Sequence, residues 1–593
     1  MCGIFGYIGK RNDAAEVVLD GLKKLEYRGY DSWGIAVSKS KVQVKTQNLV
    51  IEKHVGKIGN GKVNLPKSNV GIGHTRWATH GGVTVANAHP QIDCTGKVAV
   101  VHNGIVENFQ DLKSELISKG HKFVSQTDTE VIAHLVEEFS QKESFSESVR
   151  QTFLKLAGLN AVVILGADSG EIVAAKNGSP LIAGKGVGEF FIASDAAGII
   201  KHTREILFIE DNQMLVLGDD LRLFDLGSGK EMKPHYQTID WKFEDSQKGE
   251  FKHFFLKEIY EQPRILENMA VNSTDQIEKL AEMIKEAYGT YFIACGSASY
   301  SALAGTYLFS KLAKKHVNFA IGSEFNYLED FIKKGSLVIP VSQSGESIDV
   351  IQPVARAKQK GAKIASIVNV LGSTLYREGD FKVLLSSGPE KAVVATKSLT
   401  AMFATMILSA YCLIGKIKTG QKLILKAAKN VSLILDEKYS TKIKKLAKQL
   451  KSKSHIYVLG RGLSYATALE ATLKLKEASY IHAEGFAGGE LKHGVIALIE
   501  KGTPCIVFAP NDETYNEIIS NAAEVKARGG FIIGIGPVNN QVFDKWLETD
   551  DCGEATAIPQ IVISQLLAYY LALGKGITDP DKPRNLAKSV TVK

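Results

Sequence analysis

A cysteine directly behind the initiating methionine, in Met1-Cys2-Gly3-Ile4-Phe5-Gly6, can supply both halves of a nucleophilic pair. Once Met1 is removed, Cys2 carries a thiol and a free α-amine. A thiol needs a base to become a strong nucleophile, and an α-amine titrating at about 7.7–8.0 is partly unprotonated near neutral pH and can take the proton, directly or through a water. The hexapeptide reads equally as a small second residue leading into a buried strand. Asn103-Gly104 is a turn signal, and it also offers a side-chain amide and a backbone N–H to a developing oxyanion. Arg76 and Asp128 complement the carboxylate and ammonium of a free amino acid. The plainer readings are a structural ion pair for Arg76 and a helix N-cap for Asp128.

A second reactive group lies far downstream. Glu470, Lys474 and Glu477, at i, i+4 and i+7, share one helical face. Alone they would be a solvated salt-bridge face. His482, Glu484, Glu490, Lys492 and His493 follow in a Gly-rich stretch, and that density favours proton-transfer chemistry. Ser342-Gln343-Ser344-Gly345-Glu346-Ser347 sits between a strand and a helix, where hydroxyls and helix N-terminal N–H groups suit a phosphate. Its alternative is a Ser/Gly turn with a helix cap. No G-x-x-x-x-G-K-[ST] signature is present, so nucleotide hydrolysis is not indicated.

The elements that must position these groups change character along the chain. Residues 1–220 are short β-rich runs joined by Gly turns, with strands at 98–101, 161–165 and 190–193 and amphipathic helices at 111–119 and 129–140. This mixture predicts an α+β layered domain. A charged, aromatic connector spans 242–264, where Pro263 should end or kink a helix. Beyond it, apolar strands alternate with helices, the pattern of parallel α/β sheets. Tyr291 to Ser299 and Ile456 to Ser464 share one design: a strand, a glycine with small polar residues, then a helix. Two similar sheet domains in tandem are expected. The divisions are 2–220, a connector 221–275, 276–440, 445–583 and a tail 584–593.

Composition narrows the function classes. At 593 residues, three to four domains are the length expectation. Apolar residues at 45% and charged residues at 23% read as globular and soluble. The net charge of +8 is diluted over the chain, with no basic block interleaved with aromatics. This argues against nucleic-acid binding and leaves a mild bias toward anionic ligands. The six cysteines form no C-x-x-C pair, and the spacings of His74, His80, His89 and His102 match no standard zinc pattern. Those histidines are read as scaffold, and no metal or organic cofactor is expected. The longest apolar run, residues 399–415, is interrupted by Thr400, Thr405, Ser409 and Tyr411 and reads as a buried helix. With no secretory signal pattern, a cytoplasmic protein without membrane contact is expected.

Cys2-Gly3-Ile4, residues 27–32, Gly73 to Gly81, His102-Asn103-Gly104 and Thr127-Asp128-Thr129-Glu130 together resemble the N-terminal-nucleophile glutamine amidotransferase family. The resemblance implies an αββα domain that hydrolyses L-glutamine through a γ-glutamyl thioester on Cys2. Asn103 and Gly104 would form the oxyanion hole. Arg76 would hold the glutamine carboxylate and Asp128 its amine, with Thr79 and His80 lining the pocket and Arg28 ordering it. The second half is similar to paired sugar-isomerase (SIS) domains, and the whole chain resembles the amidotransferases that join the two. That resemblance implies D-fructose 6-phosphate as acceptor and D-glucosamine 6-phosphate as product. Ser342, Gln343, Ser344 and Ser347 would hold the sugar phosphate, with Ser297 and Glu470 beside it. Glu477 would move a proton between C1 and C2, His493 would assist ring opening, and Lys474 would line the site. Lys588 would form a Schiff base with the open ketose, and Trp77 would gate an internal ammonia path. The family also implies a homodimer. Two positions depart from the pattern. Ser297-Ala298 stands where relatives carry Thr-Ser, with Ser299 able to compensate, and Ala395 stands for a serine. Each change removes a hydroxyl worth about 0.5–1.5 kcal/mol. Amination or deglycation of another ketose phosphate, and a non-catalytic sugar-phosphate sensor, are the competing readings.

Overall fold

The computed structural model describes residues 2–38, 49–238 and 247–590. Met1 and residues 242–246 of the expected connector lie outside them. The chain divides into two compact units. The first runs to Gln247 and includes the chain from Ala587 on; the second is Lys248–Leu586.

In the first unit, short β-rich runs pair into two antiparallel sheets. The eight-stranded sheet has the order Tyr236–Thr238, Glu205–Phe208, Ile182–Lys185, Glu189–Ala193, Gly3–Gly9, Val70–Arg76, Ser32–Ser38 and Leu49–Val55. The seven-stranded sheet has the order Glu231–Met232, Leu221–Asp225, Gln213–Leu217, Ile172–Lys176, Asn160–Gly166, Val98–Gly104 and Gln91–Ile92. Alternate side chains of a strand face opposite ways, so each sheet has two faces to cover. Ile4, Ile8 and Ile72 of one sheet meet Val101, Val163 and Leu165 of the other. On the outer faces, Phe5, Ile35 and Val37 pack under the helix Ala14–Leu25. Val100, Val162 and Ile164 pack under Glu130–Phe139 and Phe145–Lys155. The result is the four-layered αββα arrangement expected from the family resemblance. The strands Leu221–Asp225, Glu231–Met232 and Tyr236–Thr238 complete these sheets, in a stretch where the connector was expected.

The second unit carries two five-stranded parallel sheets. Their orders are Asn318–Ile321, Gly289–Ala294, Ser336–Ser342, Lys363–Val368, Phe381–Leu384, and His482–Ala487, His455–Gly460, Pro504–Phe508, Phe531–Gly536, Lys545–Glu548. Both read 2-1-3-4-5 when strands are counted within each sheet. The duplication extends to backbone detail. After its first strand, each copy turns on a glycine with positive φ, Gly296 at 56° and Gly462 at 53°, a region that favours glycine. A 17-residue helix follows, Ser297–Ala313 or Leu463–Ser479, and each ends on a left-handed residue, Lys314 or Tyr480. Pro263 lies in the first turn of Gln262–Asn272, directly behind the helix Phe254–Tyr260. It starts a second helix as well as ending the first, because its missing N–H costs nothing there. The apolar run after residue 397 is the helix Lys397–Leu413, buried through Tyr411. Among the described residues, one helix, Gly553–Gly574, is long and apolar enough to cross a membrane, and most of it is buried in the core of this unit.

Candidate functional site

Cys2 leads into the strand Gly3–Gly9, whose neighbour Val70–Arg76 ends beside it through the Gly3–Thr75 register. Its Sγ accepts a hydrogen bond from the Trp77 backbone N–H at 3.1 Å. Its carbonyl accepts from Asn103 Nδ2 at 3.0 Å and Arg28 Nε at 3.4 Å. The Asn103 amide is itself held, because its Oδ1 lies 3.0 Å from His74 Nε2. Burial first pushes the Cys2 thiol up; the positive N-terminus, the Trp77 N–H, Arg76 and Arg28 pull it back without cancelling the effect. A thiol held protonated requires a base before it can attack.

Arg76, Trp77, Thr79, His80, Asn103, Gly104 and Asp128 line one cavity of about 100 Å³ with Cys2. Arg76 donates to the carbonyls of His80, Gly81 (3.1 Å) and Gly82 (3.2 Å), fixing the loop that carries Thr79 and His80. Arg28 is placed differently from a glutamine ligand. It is 4% exposed, lies behind Cys2, and pairs with Asp195 at 2.7 Å. Asp128 does not cap the following helix. Thr129 precedes Glu130–Phe139, and Asp128 Oδ2 instead accepts from the Val106 N–H at 2.8 Å. The chain from Ala587 contributes Ala587, Ser589 and Val590 to the cavity wall, which places Lys588 in that segment.

His102 is a scaffold residue, bonded to Thr129 Oγ1 at 3.0 Å and Asn160 Oδ1 at 2.9 Å. His74 is more than scaffold, because it sets the orientation of Asn103. Burial lowers its value to about 3, so it stays neutral and donates a single N–H. Asp31 accepts from the Ala78 N–H at 2.9 Å, and Asp195 accepts from both Tyr27 and Arg28. Asp31 lies in the 27–32 motif without an assigned role, and Asp195 had no sequence signal, since it acts through partners brought in from elsewhere in the chain.

In the second unit, the face formed by Glu470, Lys474 and Glu477 is not solvated. Lys474 is 1% and Glu470 0% exposed. Lys474 Nζ lies 2.7 Å from Glu477 Oε2, 3.4 Å from Glu470 Oε1 and 3.0 Å from Ser297 Oγ. Ser297 begins the corresponding helix of the first copy, so the duplicated helices meet at this charge cluster. Burial raises Glu470 to about 7, with Lys474 opposing and Glu477 adding to the shift. Burial works against the Lys474 charge, but the two carboxylates outweigh it and raise the group further. His493 ends the turn Gly488–His493 and is exposed.

Ser342 Oγ accepts from the Gly345 N–H at 3.0 Å and Ser344 Oγ from the Glu346 N–H at 3.1 Å. Each hydroxyl oxygen shapes the turn that leads to Ile348–Gln359. Glu346, to which the sequence assigned no role, clamps this turn by accepting from Thr374 N–H and Oγ1, both at 2.8 Å. The loop lies at the carboxyl end of the strand Ser336–Ser342, the usual ligand edge of such a sheet. The second copy differs at the equivalent edge. After Pro504–Phe508 it carries Asn511, Asp512 and Glu513, and the carboxylates of Asp512 and Glu513 repel a phosphate; the three line a cavity of about 690 Å³ with Lys311 and Glu554. Beside Ala298, the Ser299 Oγ donates to the Gly296 carbonyl at 2.6 Å.

One group of Cys, His and Glu side chains among the described residues has metal-binding geometry: Cys94, His121, His134 and Glu137. The sequence spacings had hidden it.

Residues 74–201 match the glutamine amidotransferase domain family, and residues 283–410 and 449–570 match the SIS domain family. The chain is 43% identical over 613 positions to the glutamine–fructose-6-phosphate aminotransferase (isomerizing) of Thermococcus kodakarensis, with all of both chains covered. It is 42% identical to that of Pyrococcus horikoshii, again with full coverage. The C-terminal domain of glucosamine-fructose-6-phosphate aminotransferase from Francisella tularensis superimposes with a TM-score of 0.52 at 32% identity, covering 56% of this chain and 98% of that one. Two reactive clusters on an αββα unit and a duplicated parallel-sheet unit therefore coincide with full-length sequence identity, and the chain belongs to the glutamine–fructose-6-phosphate aminotransferase (isomerizing) family.

Proposed function

We propose that this chain makes D-glucosamine 6-phosphate and L-glutamate from D-fructose 6-phosphate and L-glutamine, the entry step of hexosamine synthesis. The observation that carries the reading is the buried Glu470–Lys474–Glu477 cluster in a chain that also keeps Cys2 beside Asn103. A solvated helix face would have no reason to bury a lysine between two carboxylates, since isolated buried charges cost several kcal/mol each.

At the first site, removal of Met1 exposes the Cys2 α-amine, which takes the thiol proton. The thiolate attacks the glutamine side-chain carbonyl, and Asn103 Nδ2 and the Gly104 N–H receive the oxyanion. Ammonia leaves, a thioester remains on Cys2, and water releases glutamate. Arg76 and Asp128 hold the ends of the amino acid, with Thr79 and His80 beside them and Arg28 fixing the Cys2 backbone. At the second site, the hydroxyls of Ser342, Ser344 and Ser347 with Gln343 take the phosphate. His493 assists ring opening. Lys588 condenses with the C2 carbonyl and releases water, and ammonia then displaces the lysine from C2. Glu477 moves a proton from C1 to C2, leaving an amine at C2 and an aldehyde at C1. Lys474 holds the Glu477 carboxylate in place for this step through their 2.7 Å contact, while Glu470 and Ser297 position Lys474. Internal passage of ammonia, gated by Trp77, keeps it unprotonated, because ammonium is not nucleophilic. The protein acts in the cytoplasm as a homodimer.

The test is a product assay with glutamine and a panel of ketose phosphates. Equimolar glutamate and glucosamine 6-phosphate from fructose 6-phosphate supports the reading. Glutamate without amino sugar from fructose 6-phosphate, but with amino sugar from another ketose, would move the acceptor; Ala298 and Ala395 would then be the first positions to restore to hydroxyl residues.

A further inference from the structure

We propose that Cys94, His121, His134 and Glu137 form a binding site for a divalent transition-metal ion of the zinc class. The four ligand atoms lie within 4.8 Å of one another. Cys94 Sγ is 3.7 Å from His121 Nδ1 and 3.6 Å from His134 Nδ1. Glu137 Oε2 is 3.1 Å from His121 Nδ1 and 3.3 Å from His134 Nδ1. A tetrahedral zinc with the usual bond lengths separates a sulfur from a nitrogen by about 3.6 Å and a nitrogen from an oxygen by about 3.4 Å. Four of the six edges of such a tetrahedron are thus already matched.

The outer contacts point the same way. His121 Nε2 lies 2.9 Å from Glu138 Oε1, and His134 Nε2 lies 3.5 Å from Glu130 Oε1. Each imidazole therefore faces a carboxylate with both nitrogens. The two rings are buried, with centroids 5.0 Å apart. With a metal on both Nδ1 atoms, each ring is neutral and donates its Nε2–H to an outer carboxylate, the common arrangement around ligating histidines. The Cys94 thiolate and the Glu137 carboxylate balance the divalent charge, and the thiol proton leaves to solvent on binding. Cys94 is exposed, which provides the entry path.

The site ties three separate pieces of the first unit: the turn after Gln91–Ile92, the loop at His121, and Glu130–Phe139. Glu130, facing His134, also accepts from the Val124 and Ser125 N–H groups at 2.7 Å each. That loop continues into Thr127 and Asp128 of the Cys2 cavity. The spacing of 27 residues from Cys94 to His121 resembles no short zinc motif, because the ligands are assembled by the fold.

The experiment uses untagged full-length protein, stripped with a strong chelator and then offered Zn²⁺ or Co²⁺ against a competing chelator. Expected are about one zinc per chain by elemental analysis and a Co²⁺ spectrum with tetrahedral ligand-field bands and a thiolate charge-transfer band. Cys94→Ala should abolish the charge-transfer band, and His121→Gln should lower metal affinity at least tenfold. No retained zinc, or Co²⁺ bound without a thiolate band, overturns the site, as does a Cys94→Ala protein that binds like the parent. The four side chains would then be a hydrogen-bond cluster only. Should His121→Gln fail to fold, the exposed Cys94→Ala variant still decides the matter.

Discussion

Cys2 and its partners come from widely separated places, residues 2, 28, 74, 76, 103 and 195, and meet because antiparallel strands end beside one another. Glu470, Lys474 and Glu477 come from one helix and meet because helical periodicity stacks them, with Ser297 added by the duplicated copy. The electrostatics differ in the same way. The first site keeps its half-buried thiol and buried His74 uncharged, while the second stabilises a buried ammonium between carboxylates. A nucleophile that waits for its base can rest neutral. A carboxylate that must accept a carbon-bound proton needs a cation held beside it.

The sharpest way to break this contrast is Cys2→Ala. Glutamate release should fall by at least about a thousandfold, while amino-sugar formation from added ammonium salts persists. Retained glutamine hydrolysis would remove Cys2 as nucleophile. Next in size is Lys474→Ala, which leaves two carboxylates facing each other inside the second unit and should cost about 3–5 kcal/mol of its stability. Hydrogen exchange would show lost protection in Leu463–Ser479 with the strand Val70–Arg76 unchanged. Unaltered protection in that helix would mean the pair is not a buried charge cluster. Asn103→Ala should lower the turnover of glutamine hydrolysis by about 10²–10³, the usual effect of deleting an oxyanion donor, with little change in KM. A change confined to KM would make Asn103 a binding residue.

The smallest effect reads the two environments by pH. Between 4.5 and about 7 the unfolded chain has released the Glu470 proton and the folded chain retains it, so stability of the second unit falls as pH rises through that window. The full shift corresponds to about 3 kcal/mol. His74 has the opposite sign. Between 6.5 and about 3 the unfolded chain binds a proton that the folded chain excludes, so stability of the first unit falls as pH drops. Hydrogen exchange across pH 4–8, corrected for intrinsic rates, should therefore show opposite slopes for the two units. Glu470→Gln should flatten only the second. Parallel slopes would show that the two burials do not act as described.

The sequence made the duplicated sheets legible because strand, glycine and helix recur with little ambiguity, and the Glu470 face because helix spacing is local. Solvation stayed open there only as the alternative to proton-transfer chemistry, since the burial of that face depends on Ser297-bearing packing 177 residues away. Asp128 was open between capping and ligand binding because both use the same carboxylate; the Val106 N–H that it accepts belongs to another segment. The strands after Leu221 were missed because they are short and partly polar, and only pairing across the sheet gives them order. The Cys94 cluster escaped for the same reason as Asp195: neither has a local pattern, and each is made by the fold.

The most direct measurement is an isotope competition. The protein is given amide-¹⁵N glutamine, fructose 6-phosphate and an excess of unlabelled ammonium, and the products are read by mass spectrometry. Glucosamine 6-phosphate that keeps the ¹⁵N label against that excess is the predicted result, joining the Cys2 chemistry to the Glu477 chemistry within one protein. Labelled free ammonia with unlabelled or absent amino sugar would contradict it.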